Sequence, residues 1–171
     1  MTGAMNRRYF YELVQMEIDR IRRYSHPFTV VYLDLDNFKQ MNDRYGHEIG
    51  DEVLRIVASQ LKSMLRKTDI VARLGGDEFA ILLPFATARR AEAAVCRIHA
   101  HLKALVIQKN WPLTVSMGSV TCVTPPVSLA HLIDLADQVM YEVKKSTKND
   151  ARFMIWEDKA LRKALKRHLS Q

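Results

Sequence analysis

The chain has 171 residues, of which 48% are hydrophobic and 26% are charged, as is usual for one globular domain with a real core. No stretch approaches the roughly 20 apolar residues of a membrane-spanning helix, and no secretory signal peptide is visible. The net charge of +7 is compatible with a nucleic acid, a nucleotide or an anionic surface as partner, so charge alone selects none of them.

Helical and extended patterns alternate along the first half of the chain. The predicted elements are, in order, a helix, a strand, a short helix and a long helix, over about residues 6–24, 28–33, 37–44 and 48–65. The first helix ends before Pro27 because a residue that precedes proline disfavours helix. The strand is a near-continuous apolar run, which predicts burial on both faces. Gly46 ends the short helix.

The second half adds four strands and two long helices around a glycine turn. Strands are predicted over about residues 69–74, 78–83, 113–123 and 152–156, with helices starting after Thr87 and Ser128 as N-caps. Gly75-Gly76-Asp77 forms a tight hairpin turn in which glycine permits positive φ. The sum is an α+β (or α/β) domain over residues 1–158 with a central, mostly antiparallel five-stranded sheet. Residues 159–171 form a basic amphipathic helical tail.

The two cysteines, Cys96 and Cys122, lack the spacing of a metal site. We expect two buried thiols in a reducing compartment, and a disulfide or a zinc site is the alternative.

Two groups of carboxylates are unusual for a purely structural role. Asp34 closes the most apolar strand, and Asp36 points to the same side if that strand continues. An ionised carboxylate is costly to bury unless it is paired or binds a metal. Asp77 and Glu78 lie at the hairpin tip, where two acids are normally just solvated. If the hairpin lies beside the first strand, Asp34 and Asp77 converge and suit Mg²⁺ in a phosphoryl or nucleotidyl transferase.

Further polar residues follow these acids in the sequence. Lys39 and the N–H groups at the start of the short helix form a candidate phosphate cradle. Asn42 and Asp51 can pair with the edge of guanine. Equally, Asn42 can act as a helix cap and Asp51 as a partner of the helix dipole.

Three long segments resemble, in order and spacing, the GGDEF domain of bacterial diguanylate cyclases. They are DLDNFKQMNDRYGHEIGDEVL (34–54), RLGGDEFAILLP (73–84) and ADQVMYEVK (136–144), and the opening TGAMNRRYF resembles the family's usual start. The resemblance covers roughly residues 2–158. It implies a fold like the palm of nucleotide cyclases and polymerases.

The resemblance also implies a role for each matching residue. The implied metal ligands are Asp34, the Leu35 carbonyl and Asp77. The implied catalytic residues are Asp77, Glu78 and Lys39. The implied substrate-binding residues are Asn37, Phe38, Lys39, Asn42, Asp51, Gly75, Gly76, Lys144 and Lys148. Lys148 and Thr147 replace the arginine and glycine that usually end the late helix, which predicts weaker triphosphate binding because lysine lacks bidentate geometry.

A regulatory site is implied by Arg66-Lys67-Thr68-Asp69, an RxxD immediately ahead of the turn strand. In the family it resembles the inhibitory product site, in which an arginine and an aspartate grip cyclic di-GMP, and Arg97 is the candidate second arginine. An RxxD also arises often by chance as a surface pair.

The resemblance implies an enzyme that condenses two GTP into cyclic di-GMP and two pyrophosphates with Mg²⁺ or Mn²⁺, two ions per site. It also implies a homodimer, an upstream sensor domain that is absent from this chain, and no nucleic-acid partner. The implied location is cytoplasmic, and the full-length protein can be tethered to a membrane.

The alternative is a degenerate GGDEF module that acts as a receptor for GTP or cyclic di-GMP. Such modules normally lose the turn acids or glycines, whereas this chain keeps Gly75 to Phe79. A nucleic-acid-binding domain is a third possibility, but no RRM, KH or zinc-finger signature supports it.

Overall fold

The computed structural model describes residues 4–160, which form one mixed six-stranded sheet with helices on both faces. The strands are β1 (Met5–Asn6), β2 (Phe28–Asp36), β3 (Ile70–Gly75), β4 (Glu78–Leu83), β5 (Thr114–Cys122) and β6 (Ala151–Trp156). Their order across the sheet is β1-β3-β4-β2-β5-β6. The three central pairings are antiparallel, whereas the edge strands β1 and β6 run parallel to their neighbours.

Within residues 4–160, five helices cover the two faces of the sheet. They are α1 (Arg7–Tyr24), α2 (Phe38–Tyr45), α3 (His47–Met64), α4 (Ala88–Gln108) and α5 (Leu129–Ser146). One hydrophobic cluster joins α1 and α5 to one face, and a second joins α2, α3 and α4 to the other. Within residues 4–160, no helix is both long and apolar enough to span a membrane.

The central strand β2 is buried at all nine positions, as the apolar run predicted. Val31 and Leu33 pack into the cluster of α2, α3 and α4, whereas Val30 and Tyr32 pack against α1 and α5. Side chains alternate along a strand, so Asp34 and Asp36 project on the same face as Val30 and Tyr32. Both carboxylates therefore lie on the face that α1 and α5 cover.

The predicted fold class is confirmed, but the sheet has six strands rather than five. The sequence analysis missed β1, which has only two residues and is too short to show an alternating pattern. β2 is three residues longer than predicted because its pairing with β5 continues to Asp36 opposite Thr114. The domain boundary at residue 158 stays a prediction. The predicted basic tail, 159–171, lies outside the described residues from position 161 onward.

Several local predictions are confirmed in detail. The side chains of Thr87 and Ser128 accept hydrogen bonds from the Arg90 and His131 N–H groups and cap α4 and α5.

The expectation of two buried thiols is wrong for Cys96, which is exposed on α4. The other thiol, Cys122, is buried, and this burial raises its pKa to about 12.

Gly118 on β5 allows α5 to lie very close to the sheet. A Cβ at this position would overlap the Met140 backbone nitrogen and lie 2.7 Å from the Met140 Cα and 2.8 Å from the Val139 carbonyl carbon. A side chain here would therefore push α5 away from β5. This close approach brings the last turn of α5 over the end of β2.

Candidate active site

The end of β2 carries an ion pair between a buried carboxylate and a partly exposed lysine. Asp34 is 3% exposed, and its Oδ2 lies 2.9 Å from Nζ of Lys144 on α5. Burial, together with the charges of Asp77 and Asp36, raises the pKa of Asp34 to about 6, although the Lys144 ammonium acts in the opposite direction. Burial also lowers the pKa of Lys144, but Asp34, Asp77 and Asp36 outweigh it and raise that pKa overall. The position therefore concentrates negative charge that attracts a cation.

The glycine turn lies beside this carboxylate, which is the condition under which the sequence analysis expected Asp34 and Asp77 to converge. β3 ends at Gly75 and β4 begins at Glu78, which is directly opposite Asp34 in the antiparallel register. The Leu35 N–H donates to the Asp77 carbonyl at 3.3 Å and joins the turn to the end of β2. Asp34 and Asp77 therefore converge.

The shape of the turn depends on a glycine and an arginine. Gly76 has φ +47°, a left-handed conformation that side chains rarely adopt. Arg73 donates from Nε and Nη2 to the Gly76 carbonyl at 3.0 and 2.8 Å. Sequence reasoning assigned no role to Arg73, although the residue it contacts is only three positions away.

Glu78 contacts the start of α1. Its Oε2 lies 3.8 Å from Nη2 of Arg7, and Arg7 Nε donates to the Leu74 carbonyl at 3.0 Å. Both side chains are about half exposed, so the ion pair is weak. Arg7 was also missed, because the sequence does not show that α1 begins beside the turn.

Asp36 is a second buried carboxylate on the same face. Its Oδ2 accepts hydrogen bonds from Thr114 Oγ1 at 2.7 Å and Ser116 Oγ at 2.8 Å, both on β5. Its Oδ1 is buried and has no hydrogen-bond partner within residues 4–160. The sequence analysis identified the side on which Asp36 points but assigned it no role.

The phosphate-binding residues predicted from the sequence begin directly after Asp36. Asn37 has φ +65° and starts α2, whose first internal bond runs from the Met41 N–H to the Asn37 carbonyl at 3.0 Å. The N–H groups of Phe38 and Lys39 precede that bond and have no partner within the helix. Lys39 is exposed, whereas the Phe38 ring is buried in the core. The structure thus places a helix N-terminus, a position that favours anions, next to the two carboxylates.

The candidate guanine-binding residues lie where α2 meets α3. Asn42 Oδ1 is buried, and no donor in the described part of the chain reaches it. A Cβ on Gly50 would overlap this oxygen, so the glycine makes room for the Asn42 amide. Asp51 follows in the second turn of α3 and is exposed. Lys148 lies beyond the end of α5 with an exposed side chain.

The donor set fits a hard divalent cation. Asp34, Asp77 and the Leu35 carbonyl offer oxygen atoms, the kind of ligand that Mg²⁺ and Mn²⁺ prefer. Among residues 4–160, no three His, Cys, Asp or Glu side chains cluster as a complete metal site. The protein would therefore supply part of the coordination shell, and substrate phosphates or water would supply the rest.

The predicted regulatory residues lie together on the other side of the domain. Arg66, Asp69 and Arg97 line one cavity of about 200 Å³, together with Arg90. Asp69 Oδ2 accepts from the Arg66 N–H at 3.0 Å, and the Asp69 N–H donates to the Arg66 carbonyl at 3.0 Å, which closes the turn. Arg97 Nη2 donates to the Met64 carbonyl at 3.1 Å. Sequence reasoning missed Arg90, one helical turn before Ala94 on the same wall.

The chain is similar to known proteins over nearly its whole length. The sequence profile of the family described as "Diguanylate cyclase, GGDEF domain" matches residues 1–150. The probable diguanylate cyclase DgcC of Escherichia coli K12 is 35% identical over 152 residues, which cover 87% of this chain and 41% of DgcC. The chain thus spans less than half of that relative.

Solved GGDEF domains have the same fold. The GGDEF domain of PA1120 (YfiN or TpbB) from Pseudomonas aeruginosa is 30% identical, with a TM-score of 0.78 over 92% of this chain and 100% of that one. A microbial GGDEF domain described for its mode of interaction with bis-(3,5)-cyclic di-GMP is 32% identical, with a TM-score of 0.78 over 89% of this chain and 92% of that one. From its sequence, its fold and its intact glycine turn, this chain belongs to the diguanylate cyclase GGDEF domain family.

Proposed function

We propose that this domain is a diguanylate cyclase that condenses two GTP molecules into cyclic di-GMP and two pyrophosphates. The observation that carries the proposal is the convergence of Asp34 and Asp77 at the end of β2, beneath Lys144 and beside the N-terminus of α2. Carboxylates, a lysine and free N–H groups at one point are the components that nucleotidyl transfer requires.

Each residue has a role that follows from its chemistry. The N–H groups of Phe38 and Lys39, with the side chains of Lys39, Lys144 and Lys148, bind the triphosphate as an anion. Asn42 and Asp51 pair with the guanine edge, which places the α-phosphate near Asp34. Gly75 and Gly76 let the substrate approach the turn backbone because no Cβ intervenes.

Asp34, Asp77 and the Leu35 carbonyl would hold Mg²⁺ or Mn²⁺, which when bound polarises the phosphate and lowers the proton affinity of the attacking hydroxyl. We include two such ions per site in the proposal, with Glu78 beside Asp77 as the additional acid. Each 3′-hydroxyl loses its proton and forms a bond to the α-phosphorus of the other GTP, and the bond from that phosphorus to pyrophosphate breaks. One domain holds one GTP, so two domains must face each other.

The proposal includes regulation by the product. Arg66, Arg97 and Asp69 would bind cyclic di-GMP in their common cavity, since guanidinium groups recognise phosphate and the guanine edge. The alternative is a degenerate module that acts as a receptor, which would bind GTP at the candidate active site or cyclic di-GMP in this cavity without turnover.

The test measures GTP turnover with Mg²⁺ over a series of protein concentrations, reading cyclic di-GMP and pyrophosphate by chromatography. We expect the parent to form product at a rate that rises more than proportionally with protein concentration. We expect Asp77→Ala to form none. Asp43→Ala, which removes an exposed acid from α2, serves as the matched control and should stay active. If the parent makes no product even when fused to a dimeric coiled coil, yet binds GTP, the receptor function replaces the cyclase.

A further inference from the structure

Asp36 holds an unfilled acceptor in a buried and fixed position. The side chain is 3% exposed, and two hydroxyl groups of β5 fix its Oδ2, but its Oδ1 has no partner among residues 4–160. A buried carboxylate oxygen without a hydrogen bond is costly and rare, so it needs an explanation.

The hydroxyl groups of β5 donate hydrogen bonds to Asp36 rather than to Asp34. Ser116 lies directly opposite Asp34 in the sheet register, and Thr114 lies opposite Asp36. Ser116 nevertheless donates diagonally to Asp36 Oδ2 at 2.8 Å rather than to its own partner. Asp36 is thus immobilised, whereas Lys144 is the polar side chain paired with Asp34.

Lys144 contacts Asp34 and lies within electrostatic range of Asp36. Its Nζ lies 2.9 Å from Asp34 Oδ2, and its side chain is 34% exposed, so the flexible stem has room to move. Asp36 projects from the same face of β2 two residues further on, a separation of about 7 Å between Cα atoms. The charge of Asp36 already acts on the Lys144 ammonium.

Lys144 and a divalent cation compete for the same carboxylate. The ammonium and the cation repel each other strongly at such short range in a partly buried site. An ammonium displaced from Asp34 needs another acceptor, or it is lost to water and no longer faces the triphosphate.

We propose that Asp36 is a positioning residue that receives the Lys144 ammonium on its free Oδ1 when a divalent cation occupies Asp34. Lys144 then has two defined positions, one on Asp34 without the cation and one on Asp36 with it. In the second position its remaining N–H groups face the substrate phosphates. This inference rests on the proposed function, since that function places the cation at Asp34.

The first test follows the ammonium itself. In ¹H–¹⁵N spectra of lysine side chains, the Lys144 signal is identified by its loss in Lys144→Met. We expect it to be protected in the free protein and to remain protected, at a new shift, when Mg²⁺ and α,β-methylene-GTP are added. The proposal would be overturned if adding Mg²⁺ and α,β-methylene-GTP made the parent's Lys144 signal disappear through solvent exchange, or left its chemical shift unchanged. This experiment needs no variant of Asp36 to fold.

The second test is a double-mutant cycle on Mn²⁺ binding, with free Mn²⁺ measured by electron paramagnetic resonance. Asp36→Asn keeps the size of the side chain and its ability to accept from both hydroxyls. We expect it to weaken Mn²⁺ binding about tenfold more in the parent than in the Lys144→Met background, the size of one charge-assisted hydrogen bond. If Asp36→Asn weakened Mn²⁺ binding equally in both backgrounds, the inference would be overturned, because Asp36 would then act on the cation only through its negative charge.

Two control variants separate this inference from the proposed function. Asp43→Asn removes a nearby exposed acid and should show no coupling to Lys144. If Asp34→Asn binds Mn²⁺ as tightly as the parent, the cation site at Asp34 is wrong and the proposed function fails together with this inference. If binding depends on Asp34 but no coupling is found, the inference alone fails.

Discussion

Nζ of Lys144 lies 2.9 Å from Oδ2 of Asp34, and this ion pair joins the last turn of α5 to the end of β2. The pair forms because Gly118 lets α5 lie close to the sheet and because both faces of β2 are covered. A structural feature of the core therefore determines the charge balance of the candidate active site.

Removing the lysine should destabilise the protein in a pH-dependent way. The pKa of Asp34 is raised from 3.8 to about 6, so the folded state binds this proton more tightly than the unfolded chain does. Its contribution to stability therefore falls as the pH rises between about 4 and 6. Lys144→Met removes a favourable charge, raises that pKa further, and moves the upper end of the window to higher pH.

We expect Lys144→Met to lower the free energy of unfolding by roughly 2 kcal/mol at neutral pH, less than a fully buried pair would cost because Lys144 is partly exposed. Urea denaturation between about pH 5 and pH 8 should show the deficit growing with pH. Lys145→Met, which removes the neighbouring ammonium stacked on Tyr141, should show no such trend. A deficit independent of pH would contradict the assignment.

Gly118→Ala should move α5 and reduce stability. The added Cβ meets the backbone of Met140, which cannot rotate away as a side chain could. We expect a loss of about 1–3 kcal/mol in the free energy of unfolding, together with weaker GTP binding as Lys144 leaves Asp34. Ser119→Ala is the control on the opposite face of β5 and should cost less than about 1 kcal/mol. Unchanged thermal stability of Gly118→Ala would contradict the close approach.

Gly50→Ala should impair guanine recognition with little effect on folding. The added methyl group would overlap the Asn42 amide oxygen and lie 3.2 Å from Phe38 Cζ. The flexible amide must move, so we expect GTP affinity by calorimetry to fall about tenfold, as for one lost hydrogen bond to a charged or polar partner. Ser59→Ala on the exposed side of α3 controls for helix propensity. Full GTP affinity in Gly50→Ala would argue that Asn42 does not read the base.

Arg66→Ala should weaken cyclic di-GMP binding and release the enzyme from product inhibition. Removing a guanidinium that binds phosphate or guanine should lower the affinity for cyclic di-GMP about tenfold or more. Arg90→Ala should also weaken binding, since Arg90 lines the same cavity. Arg89→Ala, an exposed neighbour that does not line the cavity, is the matched control. Equal product affinity in Arg66→Ala and Arg89→Ala would show that the cavity is not the inhibitory site.

The sequence was sufficient for the features that depend on local pattern. The apolar run of β2, the helix caps at Thr87 and Ser128, and the glycine turn were all predicted and are confirmed, because each depends on neighbouring residues. β1 was missed because two residues show no periodicity. Cys96 was assigned to the core wrongly, since a lone thiol on an amphipathic helix carries no signal of its direction.

By itself, the sequence determined the order of the elements other than β1, the family and the residues able to carry charge at the site. Only the tertiary structure decided how they meet, because the strand order β3-β4-β2-β5 brings together segments that are distant in the chain. It placed Lys144 on Asp34, directed Ser116 and Thr114 to Asp36, and set Arg7 beside Glu78. These pairings depend on distance and register in the folded sheet, which no local pattern of residues encodes.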